Sequence, residues 1–295
     1  MRAAALLIPV LAMSTLVGVT DVGAAEKKQH VQAESLASVS TIKPGEPFKV
    51  GVRFQIDPEW HIYWINPGES GEATKVEWTF PEGYKVGALE YPVPVNFPQP
   101  GDIKGYGYLG EVMLMATVTP PADAKPGTEV PFTANAKWLV CQDVCIPGKA
   151  SFTGKLTVAE NATPAHEEPF KRWTQQLPVW ELAKAKDLVT GTKWSQPQGN
   201  DGPVELIVNW AGQPPAKIEW FVGTPSDVML KDESSGTEGS QSKFTFTPLP
   251  VPEQVVKVPV VVAYTDAAGK RQGVEFSFKL GKNQVAPKGQ AAASN

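Results

Sequence analysis

The sequence predicts an all-β protein built from two β-sandwich domains that a short helical connector joins. Alternating apolar and polar residues recur in short runs, as in 47–56, where Phe48, Val52 and Ile56 fall on one face. Proline and glycine, with 28 and 26 residues, interrupt these runs at turn positions. The segment 166–177 instead spaces its apolar residues three and four apart, which is typical of a helix. Frequent short strands with one helical segment favour sandwiches over a fold that alternates strands and helices.

The predicted organisation begins with a segment that has the pattern of a cleaved secretory signal. Arg2 precedes an apolar run, and small residues lie at Ala24 and Ala25. We therefore expect an exported chain, in an environment where a disulfide can persist. The expected divisions are a signal peptide (1–25), a first sandwich (26–160), the connector (161–185), a second sandwich (186–283) and a disordered tail (284–295).

Composition argues against several functional classes. The 27 basic and 31 acidic residues give a formal net charge of −4 without a basic cluster, so nucleic-acid binding is not expected. Beyond the N-terminus, no apolar run approaches the roughly 20 residues of a membrane span. Two cysteines in 295 residues cannot make a disulfide scaffold, and the lack of a G-x-S-x-G motif gives a hydrolase little support.

Both cysteines, Cys141 and Cys145, lie in the run K-W-L-V-C-Q-D-V-C-I-P-G-K. Alternation along the preceding strand places Cys141 on the face that points away from the core, and Cys145 in the connection to the next strand. By restricting the unfolded chain, a disulfide across so short a loop raises the free energy of that state by only about 2 kcal/mol. This small gain favours a reducible pair over a structural one but leaves both open. Asp143 and the lack of an adjacent His or Arg predict a weakly activated dithiol.

A metal site is the third interpretation of the cysteine pair. Two thiolates suit copper(I), whereas zinc needs two further ligands. His61, Met113 and Met115 are the candidates to complete such a site. The methionines alternate along a strand, which is more typical of core packing, and the three histidines of the chain lack ligand spacing. We therefore expect no metal at the pair and no cofactor.

Three motifs together resemble a known family. The run W-L-V-C-Q-D-V-C-I-P-G, preceded by P-E-W-H-I-Y-W-I-N-P-G-E-S-G and G-Y-G-Y-L-G-E-V, is similar to the periplasmic N-terminal domain of DsbD-type thiol:disulfide interchange proteins, in particular the branch that includes the ScsB proteins. The resemblance covers about residues 40–160. It implies an immunoglobulin-like fold and, at the pair, mixed-disulfide formation by Cys145 and its resolution by Cys141.

The resemblance also implies aromatic residues around the cysteine pair and a cap loop over it. By motif position the cap falls near 99–108, where Tyr106 and Tyr108 lie, and Tyr63 and Tyr106 match the flanking tyrosines of the family. Ordinary sandwich packing is the alternative explanation for these tyrosines. The cap of the best-known members carries acidic residues and a phenylalanine, whereas the run I-K-G-Y-G-Y of this chain has lysine, glycines and tyrosines at this place.

The function that the resemblance implies is thiol–disulfide exchange in the periplasm, of the kind that also serves cytochrome c biogenesis. The expected partners are a membrane-embedded or thioredoxin-like reductase and a periplasmic disulfide isomerase, reductase or other thiol client. The chain would then be a thiol–disulfide oxidoreductase without its own electron source, and its second domain would orient the first or dock a partner. The alternative is a protein- or copper-binding tandem sandwich whose disulfide is purely structural.

Overall fold

The computed structural model describes residues 29–99, 103–180, 187–195, 202–225 and 227–282. The predicted signal peptide and C-terminal tail lie outside the described residues, as does part of the predicted connector. Within the described residues, twenty strands and one helix confirm the predicted all-β class.

The first twelve strands are β1 (Val31–Ala37), β2 (Val39–Ile42), β3 (Phe48–Ile56), β4 (His61–Gly68), β5 (Lys75–Thr79), β6 (Lys85–Val86), β7 (Val95–Gln99), β8 (Ile103–Leu109), β9 (Glu111–Thr119), β10 (Glu129–Cys141), β11 (Cys145–Val158) and β12 (Thr163–Pro164). Helix α1 (Glu167–Thr174) is followed by β13 (Val179–Trp180), β14 (Val189–Ser195), β15 (Val204–Trp210), β16 (Ala216–Val222), β17 (Met229–Glu238), β18 (Gln241–Leu249), β19 (Val256–Thr265) and β20 (Arg271–Leu280).

Two sheets form the first sandwich. One has the strand order β1-β3-β9-β6, and the other has the order β12-β2-β11-β10-β4-β8-β7, with β5 also pairing with β10. The alternation that predicts β3 is confirmed, because Phe48, Val52 and Ile56 are buried between the sheets. Trp138 on β10 packs edge-on against Phe54 on β3, with 5.4 Å between the ring centroids. The core of this domain therefore comes from the inward faces of both sheets.

The helical part of the connector is confirmed and is shorter than the predicted segment 166–177. Glu167 and Glu168 lie in its first turn, where acidic side chains suit the helix dipole. Phe170 and Trp173 bury its apolar side in the core of the first sandwich. The flanking strands β12 and β13 pair with β2 and β20, one in each domain. The described part of the chain contains no helix able to cross a lipid bilayer.

The second sandwich is made of two four-stranded sheets, in the orders β13-β20-β19-β16 and β14-β15-β18-β17. Alternating apolar residues mark strands of this domain, as in V-E-L-I-V of β15 and K-F-T-F-T of β18. Strand β17 has the sequence M-L-K-D-E-S-S-G-T-E and is mostly exposed, so no alternation marks it. It forms because its backbone pairs with β18 at an edge of the sheet.

The two sandwiches contact each other through β16 of the second domain and the residues that follow it. Phe221 on β16 lies edge-on to Tyr106 on β8, with 5.2 Å between ring centroids. The side-chain amide of Asn66 donates hydrogen bonds to the carbonyl of Val222 at 2.6 Å and to the hydroxyl of Thr224 at 2.9 Å. An apolar contact and buried hydrogen bonds thus join the domains next to strands β4 and β8.

Candidate functional site

The cysteine pair closes the hairpin of the two longest strands. The register of β10 and β11 runs from Glu129 opposite Thr157 to Cys141 opposite Cys145, which is the last pair of the ladder. A disulfide joins the two cysteines, whose Cα atoms are 4.2 Å apart. The expectation that Cys145 lies in the connection is wrong: Cys145 is the first residue of β11, because the turn needs only residues 142–144.

The two cysteines differ in exposure. Cys145 is exposed, whereas Cys141 is only 1% exposed. Cys141 lies, as predicted, on the face of β10 opposite to the core residues Trp138 and Val140. This face is nevertheless closed to solvent at Cys141, because the hairpin of β7 and β8 extends the sheet here and covers the residue.

Phe97 and Tyr63 form the cover over Cys141. The three residues make a small buried cluster of their own, in which Tyr63 is fully buried and Phe97 is 6% exposed. Phe97 lies across Gly105 on the neighbouring strand, and a Cβ atom at that position would be 2.2 Å from its ring. A side chain at position 105 would therefore collide with the ring of Phe97.

His61 on β4 is the cross-strand neighbour of Cys141. Directly opposed residues of antiparallel strands lie on the same face, so Cys145, Cys141 and His61 form one row across three strands. The imidazole of His61 has its ring centroid 4.1 Å from that of Phe97. Its Nε2 atom is 3.2 Å from the hydroxyl of Tyr63, which donates a hydrogen bond to Gln99 at 3.4 Å.

His61 and Tyr63, the polar side chains on the strand beside Cys141, are both uncharged at neutral pH. Burial lowers the pKa of His61 from 6.5 to about 4, so the imidazole is neutral. Burial also raises the pKa of Tyr63, against a smaller opposite effect of its hydrogen bond with Ser70, so the phenol keeps its proton. A thiolate formed at Cys141 would therefore find two neutral, polar neighbours rather than a cation.

The structure brings one of the three predicted tyrosines into contact with the cysteine cluster. Tyr63 belongs to it, whereas Tyr106 and Tyr108 lie in the main core of the first sandwich. Tyr106 packs against Phe221 of the second domain, and burial raises its pKa above the usual range. Tyr108 donates a hydrogen bond from its hydroxyl to the carbonyl of Pro92 at 2.8 Å.

His61 and Phe97 are site residues that the sequence reasoning did not place beside the pair. The sequence suggests His61 only as a metal ligand, yet its spacing of two from Tyr63 on a strand already indicates a shared face. Phe97 lies outside the three motifs and no local signal marks it. In this chain a phenylalanine of β7, rather than a residue of the I-K-G-Y-G-Y run of β8, packs with Cys141.

The residues considered for a metal site do not come together. Met113 and Met115 are fully buried in the core of the first sandwich, and His61 lies in contact with the separate cysteine cluster. Among the described residues, no group of three or more His, Cys, Asp or Glu side chains is arranged to hold a metal ion. The side chains that cluster with Cys141 are instead aromatic or apolar, and its cross-strand neighbour is an imidazole.

Comparison with known proteins identifies relatives of the first domain and of the whole fold. Residues 27–157 match the family described as thiol:disulfide interchange protein DsbD, N-terminal. The N-terminal periplasmic domain of ScsB from Proteus mirabilis shares the fold with a TM-score of 0.61 and 17% identity, over 87% of this chain and 95% of that chain. Its match extends across both sandwiches and supports the immunoglobulin-like fold class predicted from the sequence.

A second solved structure aligns with part of the chain. The DsbD N-terminal domain of Neisseria meningitidis, in the reduced form, has 16% identity over 45% of this chain and 90% of that chain, with a TM-score of 0.26. No curated protein sequence matches the chain.

Proposed function

Because residues 27–157 form a domain of the DsbD N-terminal family, we propose that the chain is a thiol–disulfide exchange module that uses Cys141 and Cys145. The observation that carries the proposal is the unequal exposure of the pair within a domain of this family. An attacking sulfur can reach Cys145, whereas Cys141 is covered. This asymmetry suits a reactive and a resolving cysteine, as the family resemblance implies.

The proposed reaction moves two electrons from the dithiol to a client disulfide. The Cys145 thiolate attacks one client sulfur, and the other client sulfur leaves as a thiolate that takes up a proton. Cys141, as a thiolate, then attacks Sγ of Cys145 and re-forms the Cys141–Cys145 disulfide. The client leaves with both sulfurs reduced. A dithiol reductase restores the pair by the same two steps in reverse, so the exchange needs no cofactor.

We assign the partners by the chemistry of the site. A membrane-embedded or thioredoxin-like reductase would supply the electrons, and a periplasmic disulfide isomerase, reductase or other thiol protein would receive them. Two exposed apolar side chains near the pair suit contact with such proteins: Val144 in the turn is 61% exposed, and Leu109, opposite His61, is 49% exposed. A periplasmic location agrees with that of the ScsB domain that shares the fold.

We further propose that the chain has two domains, 26–160 and 186–283, and that the second supports the cover over Cys141. Strand β8 of the covering hairpin contacts the second sandwich at two places. The amine of Lys104 is 2.6 Å from a carboxylate oxygen of Glu233, and Tyr106 packs against Phe221. The second domain would thus hold the hairpin from the side away from the cysteines.

The experiment that tests the function is reduction of the oxidised protein by a thioredoxin, with thioredoxin reductase and NADPH. We expect one NADPH to be consumed per chain without loss of the near-ultraviolet circular dichroism, and no reduction of a Cys145→Ser variant. Reduction that occurs only in denaturant would instead show that the disulfide is structural. The chain would then be a binding module.

A further inference from the structure

His61 is the ionisable side chain that the sheet register places directly beside Cys141, and the proposed exchange gives it no role. The imidazole is 6% exposed, lies against the ring of Phe97, and has its Nε2 atom within hydrogen-bond distance of the Tyr63 hydroxyl. The Tyr63 hydroxyl donates to Gln99, so it accepts from Nε2 of His61. In this tautomer Nδ1 of His61 is unprotonated, so its lone pair can accept a proton.

The resolving step creates a need for a proton acceptor at this place. Cys141 must lose its thiol proton before it attacks Cys145, because only the thiolate is a nucleophile. Burial opposes that ionisation and keeps water away from a sulfur whose residue is 1% exposed. A base that reaches the sulfur inside the cover would remove this obstacle.

The other groups around His61 do not meet this need. Tyr63 holds its own proton, because burial raises its pKa, and Phe97 on β7 and Leu109 on β8 are apolar. Six charged residues of the surrounding turns and strands are exposed and belong to the solvated surface: Glu59, Glu69, Lys104, Lys137, Asp143 and Lys149. The half-buried Asp57, in the turn before β4, is hydrogen-bonded to His30 at 3.0 Å.

We propose that His61 accepts the thiol proton of Cys141 as Cys141 attacks Sγ of Cys145, which deepens the proposed function and rests on it. The Cys141–Cys145 bond forms, the bond from Cys145 to the client sulfur breaks, and the client leaves as a thiolate. The imidazolium then releases its proton to the client thiolate or to water. His61 ends the step neutral, as it began.

The electrostatics of the site fit a base that works only during exchange. In the disulfide state burial holds the pKa of His61 at about 4. A thiolate on the neighbouring strand favours the protonated imidazole and raises that pKa while the charge lasts. When the disulfide closes, the charge disappears and the proton is released.

The test follows the resolving step in the reduced protein with 5,5′-dithiobis(2-nitrobenzoate). Attack by Cys145 releases one coloured thiolate, and attack by Cys141 on the resulting mixed disulfide releases the second. With His61 as the base, the second rate is nearly constant from about pH 5.5 to 8. In His61→Gln it depends on spontaneous ionisation of Cys141 and rises about tenfold per pH unit. General-base catalysis of typical size makes the variant at least tenfold slower at pH 6, with the two rates converging above about pH 9.

Two controls separate this role from a structural one. His166→Asn changes an exposed histidine of the connector and is expected to leave the pH profile unaltered. Tyr63→Phe removes the hydrogen bond to Nε2 but keeps the base, so the profile stays flat even if its level falls. A His61→Gln rate that is lowered equally at all pH values, or not lowered, overturns the proposal. Failure of the second thiolate to appear in the unaltered protein would contradict the exchange function itself.

Discussion

Truncation of Phe97 is expected to expose Cys141 without unfolding the domain. Phe97 and Tyr63 are the buried residues that cluster with Cys141 on the outer face of the sheet. The change Phe97→Ala removes the ring that covers the sulfur and leaves the inward core of the sandwich intact. Cys141 should therefore become reactive toward a small alkylating reagent in the native protein.

The magnitude follows from the burial of the ring. Phe97 is 6% exposed, and Phe→Ala changes in cores cost about 3–5 kcal/mol. The cluster around Phe97 is small and belongs to the end strand of its sheet, so partial collapse reduces the cost to about 2–3 kcal/mol. If this cost destabilises the closed hairpin of β7 and β8 relative to an open one, Cys141 is exposed about 30- to 150-fold more often.

The assay is the rate at which iodoacetamide alkylates Cys141 in a Cys145→Ser background, under native conditions. Phe48→Ala is the matched control, because Phe48 is also 6% exposed but belongs to a core cluster without a cysteine. It lowers global stability and should leave the alkylation rate nearly unchanged. Equal acceleration by Phe97→Ala and Phe48→Ala would refute the assignment of Phe97 as the cover.

Three further predictions concern the cover, the domain interface and the second domain. Gly105→Ala should accelerate Cys141 alkylation, since the new Cβ would displace the Phe97 ring, whereas Gly212→Ala, with nothing within 4 Å, should not. Asn66→Ala should lower the free energy of unfolding by about 1–3 kcal/mol in urea titrations, because the buried oxygens of Val222 and Thr224 lose their donor. An unchanged free energy of unfolding would contradict the role of Asn66 at the domain interface. Burial raises the pKa of Glu275 from 4.5 to about 7, although Lys257 lowers it, so the folded state keeps a proton that the unfolded chain loses. The free energy of unfolding should therefore fall as the pH rises from about 4.5 to 7. Glu275→Gln should abolish that fall and raise the free energy of unfolding by up to about 3 kcal/mol at pH 8, measured in urea titrations. An unchanged pH slope in the variant would contradict this prediction.

Alternation within one strand and a match to one motif are sufficient to predict part of the candidate site. Alternation along β10 predicts which residues are inward, and it correctly assigns Trp138 to the core and Cys141 to the other face. The family resemblance adds Tyr63, which the structure brings into the cysteine cluster. Both predictions rest on residues close to each other in the chain or inside one motif.

The remainder of the site depends on pairing between distant strands. His61 lies opposite Cys141 because β4 pairs with β10, and Phe97 reaches the cluster because β7 pairs with β8 at the end of that sheet. Alternation fixes the face of a residue but not the register of two strands far apart in the chain. For the same reason alternation places Cys141 away from the core but does not show that the sheet continues beyond β10 and covers this residue.

The reduction potential of the Cys141–Cys145 pair tests the central claim most directly. The protein is equilibrated in glutathione and dithiothreitol buffers, the fraction of disulfide is measured, and near-ultraviolet circular dichroism reports the fold at each poise. The account predicts a potential between about −180 and −270 mV with the fold kept in both states, as in exchange proteins. A potential below about −300 mV, or loss of the fold on reduction, would contradict it and make the disulfide structural.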